Sequence, residues 1–566
     1  MVNLAIAVII SLVATLIFSI CLRWQKSLYI LLALLILPIV SLILINPKFA
    51  LVTWHEFMHA SIVFNIMNGQ IPPEDVLLAG YALKYPWGHH YLVALFCQLT
   101  NISPPIGFVI FNITALIVST IAIFKTAQLV SRSPQTGIFA VFFAIFGTSF
   151  FFANILINFP IYPINLVVDL RVLPLHKFAH ANSNTLGFCF FFIFIFFLIR
   201  LFAQQGKSYI NGIGIAFSIG ATGFLYPIYW LAVSVSCICV CIGQAIAKRG
   251  RNWQSILIVL LALFFGSGLA TPYLLSVSQG KAKTAEISLN YDLTSQFIGL
   301  FLLLSLPLLI LGLQRLKVKI LLKSHTSEVL TLVCIGLGLS LLYVFLTIPT
   351  GSQYKFIMLL MGVIGIFIAP FFTNIAQEKP LFTKLIIALL FLPTVLMFVD
   401  MFQAVEVADR VHTSGIEIRH DDLHSDKLYR WIATKTPVNT VVIDSFRTVP
   451  VLGRRSLYVS NDLRREQDPV WQYDGWSMDT KKISAKVYGQ DPEVVQHRLQ
   501  NAIALLTPNN KDTVNAAAKN VKQEFPNRPV IVIIRDQTVQ PTFDNNPHFV
   551  QVFAEPSVWV YRLEKF

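Results

Sequence analysis

The segment Trp54-His55-Glu56-Phe57-Met58-His59 contains an HExxH pattern, the first arrangement in the chain whose residue types and spacing could do chemistry. Two histidines four residues apart lie on one face of a helix, where they can bind zinc while the glutamate between them acts as a general base. The pattern raises the hypothesis of a membrane zinc metalloprotease with His55, Glu56 and His59 at its metal centre. A catalytic zinc needs a third protein ligand, and the later sequence carries none of the downstream patterns that supply one in zinc proteases.

More ionisable residues follow within residues 47–105, a polar loop between apolar stretches. Asp75 lies in Ile71-Pro72-Pro73-Glu74-Asp75, and two histidines lie in Tyr85-Pro86-Trp87-Gly88-His89-His90-Tyr91. Carboxylates and imidazoles at a membrane surface are costly to desolvate, so their clustering favours a site of chemistry or ion passage. Glu56 and Asp75 are the candidate catalytic residues. Simpler roles stay open, since Glu56 could stabilise the start of a helix and the histidines could bond to backbone or lipid groups.

Cations gather in two further segments. Arg171, His176 and Lys177 lie within residues 169–182, and Tyr354 and Lys355 lie within residues 350–356. Basic groups at a membrane boundary can bind a phosphate and offset negative charge that develops on a leaving group. We predict substrate and phosphate contacts, led by Arg171 and Lys355, from Arg171, His176, Lys177, Tyr354, Lys355, His89 and His90. The alternative is that the lysines extend to the membrane interface and that Tyr354 anchors a helix end.

Apolar stretches must position these residues, because the 566-residue chain is 55% hydrophobic and 13% charged, with a mean hydropathy of +0.67. Several stretches stay apolar for about 18 residues or more, which suffices to cross roughly 30 Å of hydrocarbon. We therefore predict an α-helical polytopic membrane protein with a transmembrane domain at residues 1–401. About twelve helices are expected, at roughly 3–22, 27–45, 106–124, 136–158, 184–202, 209–227, 228–247, 254–274, 296–313, 328–348, 356–376 and 382–401.

Basic residues in the short connections predict the orientation, because loops rich in Lys and Arg stay in the cytoplasm. In the twelve-helix arrangement these residues fall on one side, so the loop 47–105 and everything after residue 401 are expected to face outward. The cytoplasmic turns account for much of the net charge of +14, so membrane lipids are expected partners and nucleic acid is not. The first apolar stretch has no basic flank or clear cleavage site, which favours a retained helix over a signal peptide.

The cysteines and the last residues bear on the compartment. All seven cysteines lie in or beside apolar stretches, so no disulfide framework is expected. The absence of outward-facing cysteines and of a retention signal near Phe566 favours the inner membrane of a bacterial cell.

Residues 402–566 have a different composition and are predicted to form a small extracytoplasmic α/β domain. Helical patterns near 423–435, 492–506 and 511–524 alternate with β-rich runs at 440–443, 529–534, 549–553 and 558–561. Such alternation is typical of α/β folds.

The loop and the C-terminal segment together resemble the GT-C superfamily of membrane glycosyltransferases. The resemblance lies in the acidic residue Glu56 after an early apolar helix, the Ile-Pro-Pro-Glu-Asp stretch, and the segment from Tyr85 to Pro104. The C-terminal stretch from Leu428 to Tyr458 is similar to the soluble domain appended to many such proteins. The middle helices share only their hydrophobicity with the family.

The resemblance implies a polyprenyl-phosphate-linked sugar donor, transfer outside the cytoplasm, and an unknown acceptor. It places the acidic catalytic residue of the first outward loop at Glu56, with Asp75 as the second candidate, although the family more often has aspartate there. A divalent ion such as Mg²⁺ or Mn²⁺ could assist, held by these carboxylates and neutral histidines; zinc is expected only for the protease. The resemblance also covers GT-C-like membrane proteins of unproven activity.

A transporter or a non-catalytic membrane scaffold is the alternative from a different functional class. A transporter would also hold ionisable groups in a membrane cavity, near broken helices such as residues 220–227. Transport predicts essential charges inside the spans, whereas glycosyl transfer predicts Glu56 or Asp75 at the outer surface.

Overall fold

The computed structural model describes residues 31–33, 36, 37, 40, 54–83, 85–146, 178, 184–248, 252–278, 288, 289, 300, 326–347, 354–381, 383–385, 387, 426–445, 449–459, 492–508 and 510–564. The chain divides into two compact units. The helical unit comprises residues 1–47, 108–276 and 287–405, and the mixed unit comprises residues 48–107, 277–286 and 406–566.

Helices predominate among the described residues. In chain order they are α1 Trp54–Met67, α2 Gly88–Thr100, α3 Pro104–Ser131, α4 Pro134–Phe146, α5 Thr185–Phe202, α6 Ser208–Leu225, α7 Pro227–Lys248, α8 Trp253–Ser278, α9 Thr326–Phe345, α10 Tyr354–Glu378, α11 Asp426–Lys435, α12 Val449–Leu452, α13 Pro492–Leu506, α14 Lys511–Glu524 and α15 Gln540–Asp544. The strands are β1 Ser288–Leu289, β2 Leu346–Thr347, β3 Val441–Ile443, β4 Ser456–Leu457, β5 Val530–Ile534, β6 Phe549–Glu555 and β7 Val558–Leu563.

Seven described helices are long and apolar enough to cross a membrane, namely α3, α5, α6, α7, α8, α9 and α10. They coincide with seven of the predicted spans. A shorter apolar helix, α4, covers the start of an eighth predicted span, 136–158. The rest of that span, from residue 147 onward, lies outside the described residues. The spans predicted near 3–22, 27–45, 296–313 and 382–401 lie wholly or mostly outside them too, so the total of about twelve stays a prediction. The chain is a mostly helical integral membrane protein.

Close approach of helix backbones holds the helical unit together around α10. A Cβ atom at Gly365 of α10 would lie 2.9 Å from the backbone nitrogen of Ala144 in α4. The ring of Phe372 on α10 packs edge-on against Phe139 and Phe143 of α4, with centroid distances of 5.0 and 4.9 Å. Small residues at helix contacts favour association in lipid, because van der Waals packing there replaces the hydrophobic drive available in water.

Buried polar side chains in the helical unit bond to neighbouring helices. Thr185 on α5 donates to Asn112 Oδ1 on α3 at 2.7 Å. Gln244 on α7 donates to Thr331 Oγ1 and to the Ser327 carbonyl of α9, at 3.0 and 2.9 Å. Hydrocarbon offers no hydrogen bonds, so such groups must be satisfied within the protein. These hydrogen bonds fix the position of α5 along α3 and of α7 along α9.

The mixed unit contains a five-stranded sheet in the order β4-β3-β5-β7-β6. Strands β4, β3 and β5 are parallel, whereas β7 pairs antiparallel with both β5 and β6. The four longest strands coincide with the four predicted β-rich runs, and α11, α13 and α14 coincide with the three predicted helical patterns. The predicted domain boundary at residue 401 lies outside the described residues, so a separate soluble domain stays a prediction.

Central strand β5 is buried on both faces, which explains why its sequence is a continuous apolar run rather than an alternating one. Val530, Val532 and Ile534 enter a core with α13 and α14, while Ile531 and Ile533 enter a second core with α11. Residues of the loop join these cores as well, since Leu78 lies in the first and Leu77 packs against the second. The loop is thus part of the folded mixed unit.

Replacement of Gly365 by Ala is expected to lower the stability of the helical unit by about 1–3 kcal/mol, because the added methyl group meets backbone rather than a movable side chain. Gly268→Ala in α8 is the matched control. Apart from the backbone of α8 itself and the two neighbouring residues, no atom of the described residues lies within 4 Å of a Cβ there. The change is therefore expected to be neutral or to stabilise the fold by up to about 1 kcal/mol, because alanine favours a helix more than glycine does. Thermal unfolding midpoints of both variants in one detergent measure the difference, and equal midpoints would contradict the packing argument.

Candidate functional site

The predicted site residues divide into those whose side chains the structure describes and those beyond its description. Asp75, His59, His89, His90 and Lys355 are described. Three candidates lie outside the described residues, namely Arg171, His176 and Lys177. For three others only the backbone is described, namely His55 and Glu56 on α1 and Tyr354 on α10. Their predicted roles stay predictions.

Helices α1 and α2 bring two of the predicted histidines into contact. His59 on α1 and His90 on α2 are buried, with exposed fractions of 1% and 0%. His59 Nδ1 lies 2.7 Å from His90 Nε2, so one of these nitrogens carries a hydrogen and donates a hydrogen bond to the other. The two rings stack with centroids 4.9 Å apart, and the Tyr85 ring lies 5.8 and 5.9 Å from them. The loop therefore holds a desolvated imidazole pair.

The environment of His90 keeps its ring neutral. Burial lowers the pKa of His90 well below its usual value, and the nearby His89 lowers it further. A hydrogen bond with the backbone of Pro86 raises the pKa, but this effect is smaller than that of burial. Two adjacent neutral imidazoles can share a hydrogen bond without the cost of a buried charge.

Asp75 is the buried carboxylate of the loop. Its side chain is 1% exposed, and its Oδ1 accepts a hydrogen bond from the backbone nitrogen of Leu77 at 3.0 Å. The backbone nitrogen of Asp75 donates to the Tyr81 carbonyl at 2.7 Å. The carboxylate is held in one orientation by the local turn.

The neighbouring carboxylate, Glu74, is engaged in an ion pair. Arg528 Nη1 donates to both carboxylate oxygens of Glu74, at 3.1 and 3.2 Å. The backbone nitrogen of Gly80 donates to Glu74 Oε1 at 2.6 Å, and the backbone nitrogen of Glu74 donates to Asn65 Oδ1 on α1 at 3.0 Å. Of the two adjacent acids, Glu74 therefore fixes the loop.

Lys355 lies in the helical unit, in the first turn of α10. Its side chain is 9% exposed, and its Nζ donates to the hydroxyl of Tyr226, which directly follows α6. Nζ also lies 4.7 Å from the centre of the Tyr226 ring. This placement within the protein fits a role inside the fold better than extension to the membrane interface.

A metal centre is not formed by the described side chains. Within the described ranges, no three histidines, cysteines or acidic residues are arranged to hold a metal ion. The zinc hypothesis requires the side chains of His55 and Glu56, which lie outside the description, and therefore stays a hypothesis.

Sequence analysis missed two arginines that contact the loop, Arg498 and Arg528. The sequence carries a signal for Arg498. This arginine lies three residues after Val495 and four before Ala502, so it shares the apolar face of α13 with them. A charged residue on such a face requires a partner. Nothing in the sequence around Arg528 indicates Glu74 as its partner.

Comparisons with known proteins establish the fold. Residues 1–170 match the model of a family described as "Uncharacterized membrane protein (DUF2298)". No protein of curated function matches the chain by sequence. The chain is similar to ArnT from Cupriavidus metallidurans, solved bound to undecaprenyl phosphate, with a TM-score of 0.52 and 9% identity over 95% of this chain and 98% of that chain.

Two other solved structures show weaker likeness. Arabinofuranosyltransferase AftD from Mycobacteria gives a TM-score of 0.48 at 12% identity, over 90% of this chain and 40% of that chain. The oligosaccharyltransferase AglB from Archaeoglobus fulgidus, in complex with an inhibitory peptide and a dolichol-phosphate, gives 0.43 at 8% identity, over 90% of this chain and 70% of that chain. These neighbours are GT-C glycosyltransferases. The likeness to ArnT confirms the predicted resemblance at the level of the fold.

The buried imidazole of His90 predicts a loss of stability in acid. Its pKa is lower in the folded chain than the value of about 6.5 in the unfolded chain, so unfolding takes up a proton when the pH lies between these two values. Stability should therefore fall as the pH drops below about 6.5 and level off below the folded-state pKa. Thermal unfolding of the purified chain between pH 7.5 and about pH 4 measures this slope.

His90→Gln, which keeps a hydrogen-bonding side chain but does not titrate, is expected to flatten the dependence on pH. The control is His497→Gln on α13, because it makes the same substitution at an exposed histidine. An unchanged slope in His90→Gln would contradict the argument.

Proposed function

We propose that this chain is a membrane glycosyltransferase that moves a sugar from a polyprenyl-phosphate carrier to an acceptor on the extracytoplasmic face of the membrane. The observation that carries the proposal is the fold likeness to ArnT bound to undecaprenyl phosphate, which extends over nearly the full length of both chains. A fold can host several activities, so the proposal also depends on the chemistry of the residues within it.

Glycosyl transfer requires a base for the acceptor hydroxyl. We assign this role to Glu56, in the first turn of α1, and keep Asp75 as the second candidate. A carboxylate takes the proton as the acceptor oxygen attacks the anomeric carbon, and positioned bases typically accelerate such steps by about 10²–10⁴-fold. The buried, singly oriented carboxylate of Asp75 supports a role for this loop in chemistry.

The departing carrier phosphate requires positive charge. Lys355 supplies an ammonium group in the first turn of α10, where the partial positive charge of the helix end also favours anions. The adjacent Tyr226 hydroxyl can donate to a phosphate oxygen. We propose Lys355 as a phosphate contact, together with Arg171 and with His176, Lys177, Tyr354, His89 and His90 as further binding candidates.

A divalent ion such as Mg²⁺ or Mn²⁺ remains a hypothesis for this reaction. The described residues contain no group of three histidine, cysteine or acidic ligands, and the side chain of the candidate ligand Glu56 lies outside the description. We therefore derive no step through a metal, and a chelator tests the requirement directly.

The distribution of acidic residues favours transfer over coupled transport. In the seven membrane-length helices, the acidic residues are Glu328 in the first turn of α9 and Glu378 at the end of α10. Ion-coupled transporters instead place ionisable groups near the middle of the membrane. The GT-C fold likewise favours a transferase over the protease suggested by the HExxH pattern.

The test is transfer of radiolabelled sugar from a panel of polyprenyl-phosphate donors, by purified protein in lipid nanodiscs with and without a chelator. Glu56→Gln is expected to lower kcat by about 10²–10⁴-fold, because the amide cannot accept the proton. Lys355→Met is expected to weaken donor binding about 10–100-fold, because a charge-assisted hydrogen bond is lost. Asp75→Asn distinguishes the second candidate base from the first.

Asp536→Asn is the control, since it makes the same carboxylate-to-amide change at an exposed position in the mixed unit. Its activity is expected to equal that of the wild type. Absence of transfer from every donor by folded wild-type protein would count against the proposal. Full activity in Glu56→Gln would move the role of base to Asp75 or elsewhere.

A further inference from the structure

We propose that Arg498 and Arg528, in the C-terminal part of the mixed unit, are positioning residues that hold the segment 74–82 and so orient Asp75. The catalytic consequence rests on the proposed glycosyltransferase function and on a role for Asp75, the second candidate base, within it. The structural part does not, because it concerns contacts within the mixed unit alone.

The first contact is backbone pairing between the loop and the edge of the sheet. The nitrogen of Leu457 in β4 donates to the Val76 carbonyl at 2.9 Å, and the nitrogen of Ala79 donates to the Leu457 carbonyl at 2.8 Å. Strand β4 is the terminal strand of the sheet on this side, so the loop occupies hydrogen-bonding groups that an edge strand would otherwise expose. The residues immediately after Asp75 are thereby fixed in register with β4.

The second contact is the guanidinium of Arg498, which is 2% exposed. Its Nη1 donates to the carbonyls of Ala79 and Tyr458, at 2.6 and 2.8 Å, and its Nε donates to Glu524 Oε1 at 2.7 Å. A buried charge is tolerated only when it is paired and hydrogen-bonded. If the segment 74–82 moved away, Arg498 Nη1 would lose the Ala79 carbonyl as a hydrogen-bond acceptor. Arg498 therefore stabilises the segment in its place against the sheet.

Aromatic rings enclose the same guanidinium. The centres of the Tyr81, Tyr458 and Phe525 rings lie 5.0, 4.9 and 5.1 Å from its central carbon. Tyr81 belongs to the loop, whereas the other two rings belong to the C-terminal segment. Cation–π contacts with desolvated rings add to the binding of the loop.

The third contact is the ion pair between Arg528 and Glu74, the residue before Asp75. Arg528 is itself held, because its Nε donates to the Asn439 carbonyl at 2.7 Å. Glu74 also accepts from the nitrogen of Gly80, which closes the turn. Gly80 has a φ of +85°, and a Cβ there would lie 3.2 Å from Phe525 Cε1, so the turn and its packing both require glycine.

Asp75 therefore lies between two anchored neighbours, Glu74 and Val76. Helix α1 is tied to the same framework, since the guanidinium of exposed Arg454 lies 4.6 Å from the centre of the Phe64 ring. The C-terminal segment thus sets the conformation of the loop that carries Asp75 and contacts the helix that carries Glu56.

A merely stabilising role and a positioning role predict different local effects. A stabilising role predicts that loss of either arginine loosens the whole mixed unit equally. A positioning role predicts a selective loosening of the segment 74–82, because most residues of the sheet's two cores come from the C-terminal segment.

Hydrogen exchange of the full-length protein in nanodiscs separates the two. In Arg528→Met and Arg498→Met, amides of Asp75, Leu77, Ala79 and Gly80 are expected to exchange at least tenfold faster, while those of β5 and β7 keep their wild-type rates. Arg528→Lys, which keeps the charge, is expected to restore part of the protection. Arg535→Met is the matched control, because its ion pair with Asp444 at 2.9 Å lies wholly within the C-terminal segment.

Wild-type exchange of the segment in Arg528→Met would overturn the proposal. An equal increase across β5 and β7 in that variant would also overturn it and leave only a stabilising role. These readouts need no transfer activity, so failure of the proposed function is observed separately, as absence of product in the wild type.

Kinetics test the catalytic consequence wherever the wild type transfers sugar. Arg528→Met is expected to lower kcat about tenfold with KM for the polyprenyl donor within twofold, since the carboxylate is misplaced while the donor contacts are intact. Arg535→Met is expected to keep the wild-type kcat. A raised KM with unchanged kcat in Arg528→Met would overturn the positioning role.

Discussion

An ionisable side chain that leaves water must become neutral or find partners inside the protein, and the polar geometry of the mixed unit follows from this constraint. His90 meets it by staying neutral against His59. Arg498 cannot lose its charge, so its guanidinium binds two carbonyls and one carboxylate. The loop is ordered because these buried groups require the atoms that it supplies.

The same constraint limits what the fold tells about function. This chain is similar in fold to ArnT at only 9% identity, and packed helices tolerate many combinations of apolar residues. The proposed chemistry depends instead on a few buried polar residues, such as Asp75 and Lys355. A shared fold therefore leaves the reaction, the sugar and the acceptor to be assigned from residues that the fold comparison does not weigh.

Sequence analysis predicted the features with a local signal. Hydropathy alone located the seven described membrane-length helices, and β-rich runs located the longer strands, because both depend on neighbouring residues. The contacts that fix the loop have no such signal, since Arg498 and Ala79 are separated by 419 positions. Asp75 was recognised as a candidate from its residue type and surroundings, but its orientation depends on strand β4, which has only two residues and was not predicted.

The adjacent acids Glu74 and Asp75 show why residue type and spacing alone do not assign a role. The longer side chain of Glu74 reaches Arg528 and the Gly80 nitrogen, and this ion pair excludes it as an available base without rearrangement of the loop. The shorter side chain of Asp75 accepts a hydrogen bond within its own turn, where the Leu77 nitrogen donates to Oδ1. One carboxylate can then brace the loop while the next keeps an orientation that chemistry can use.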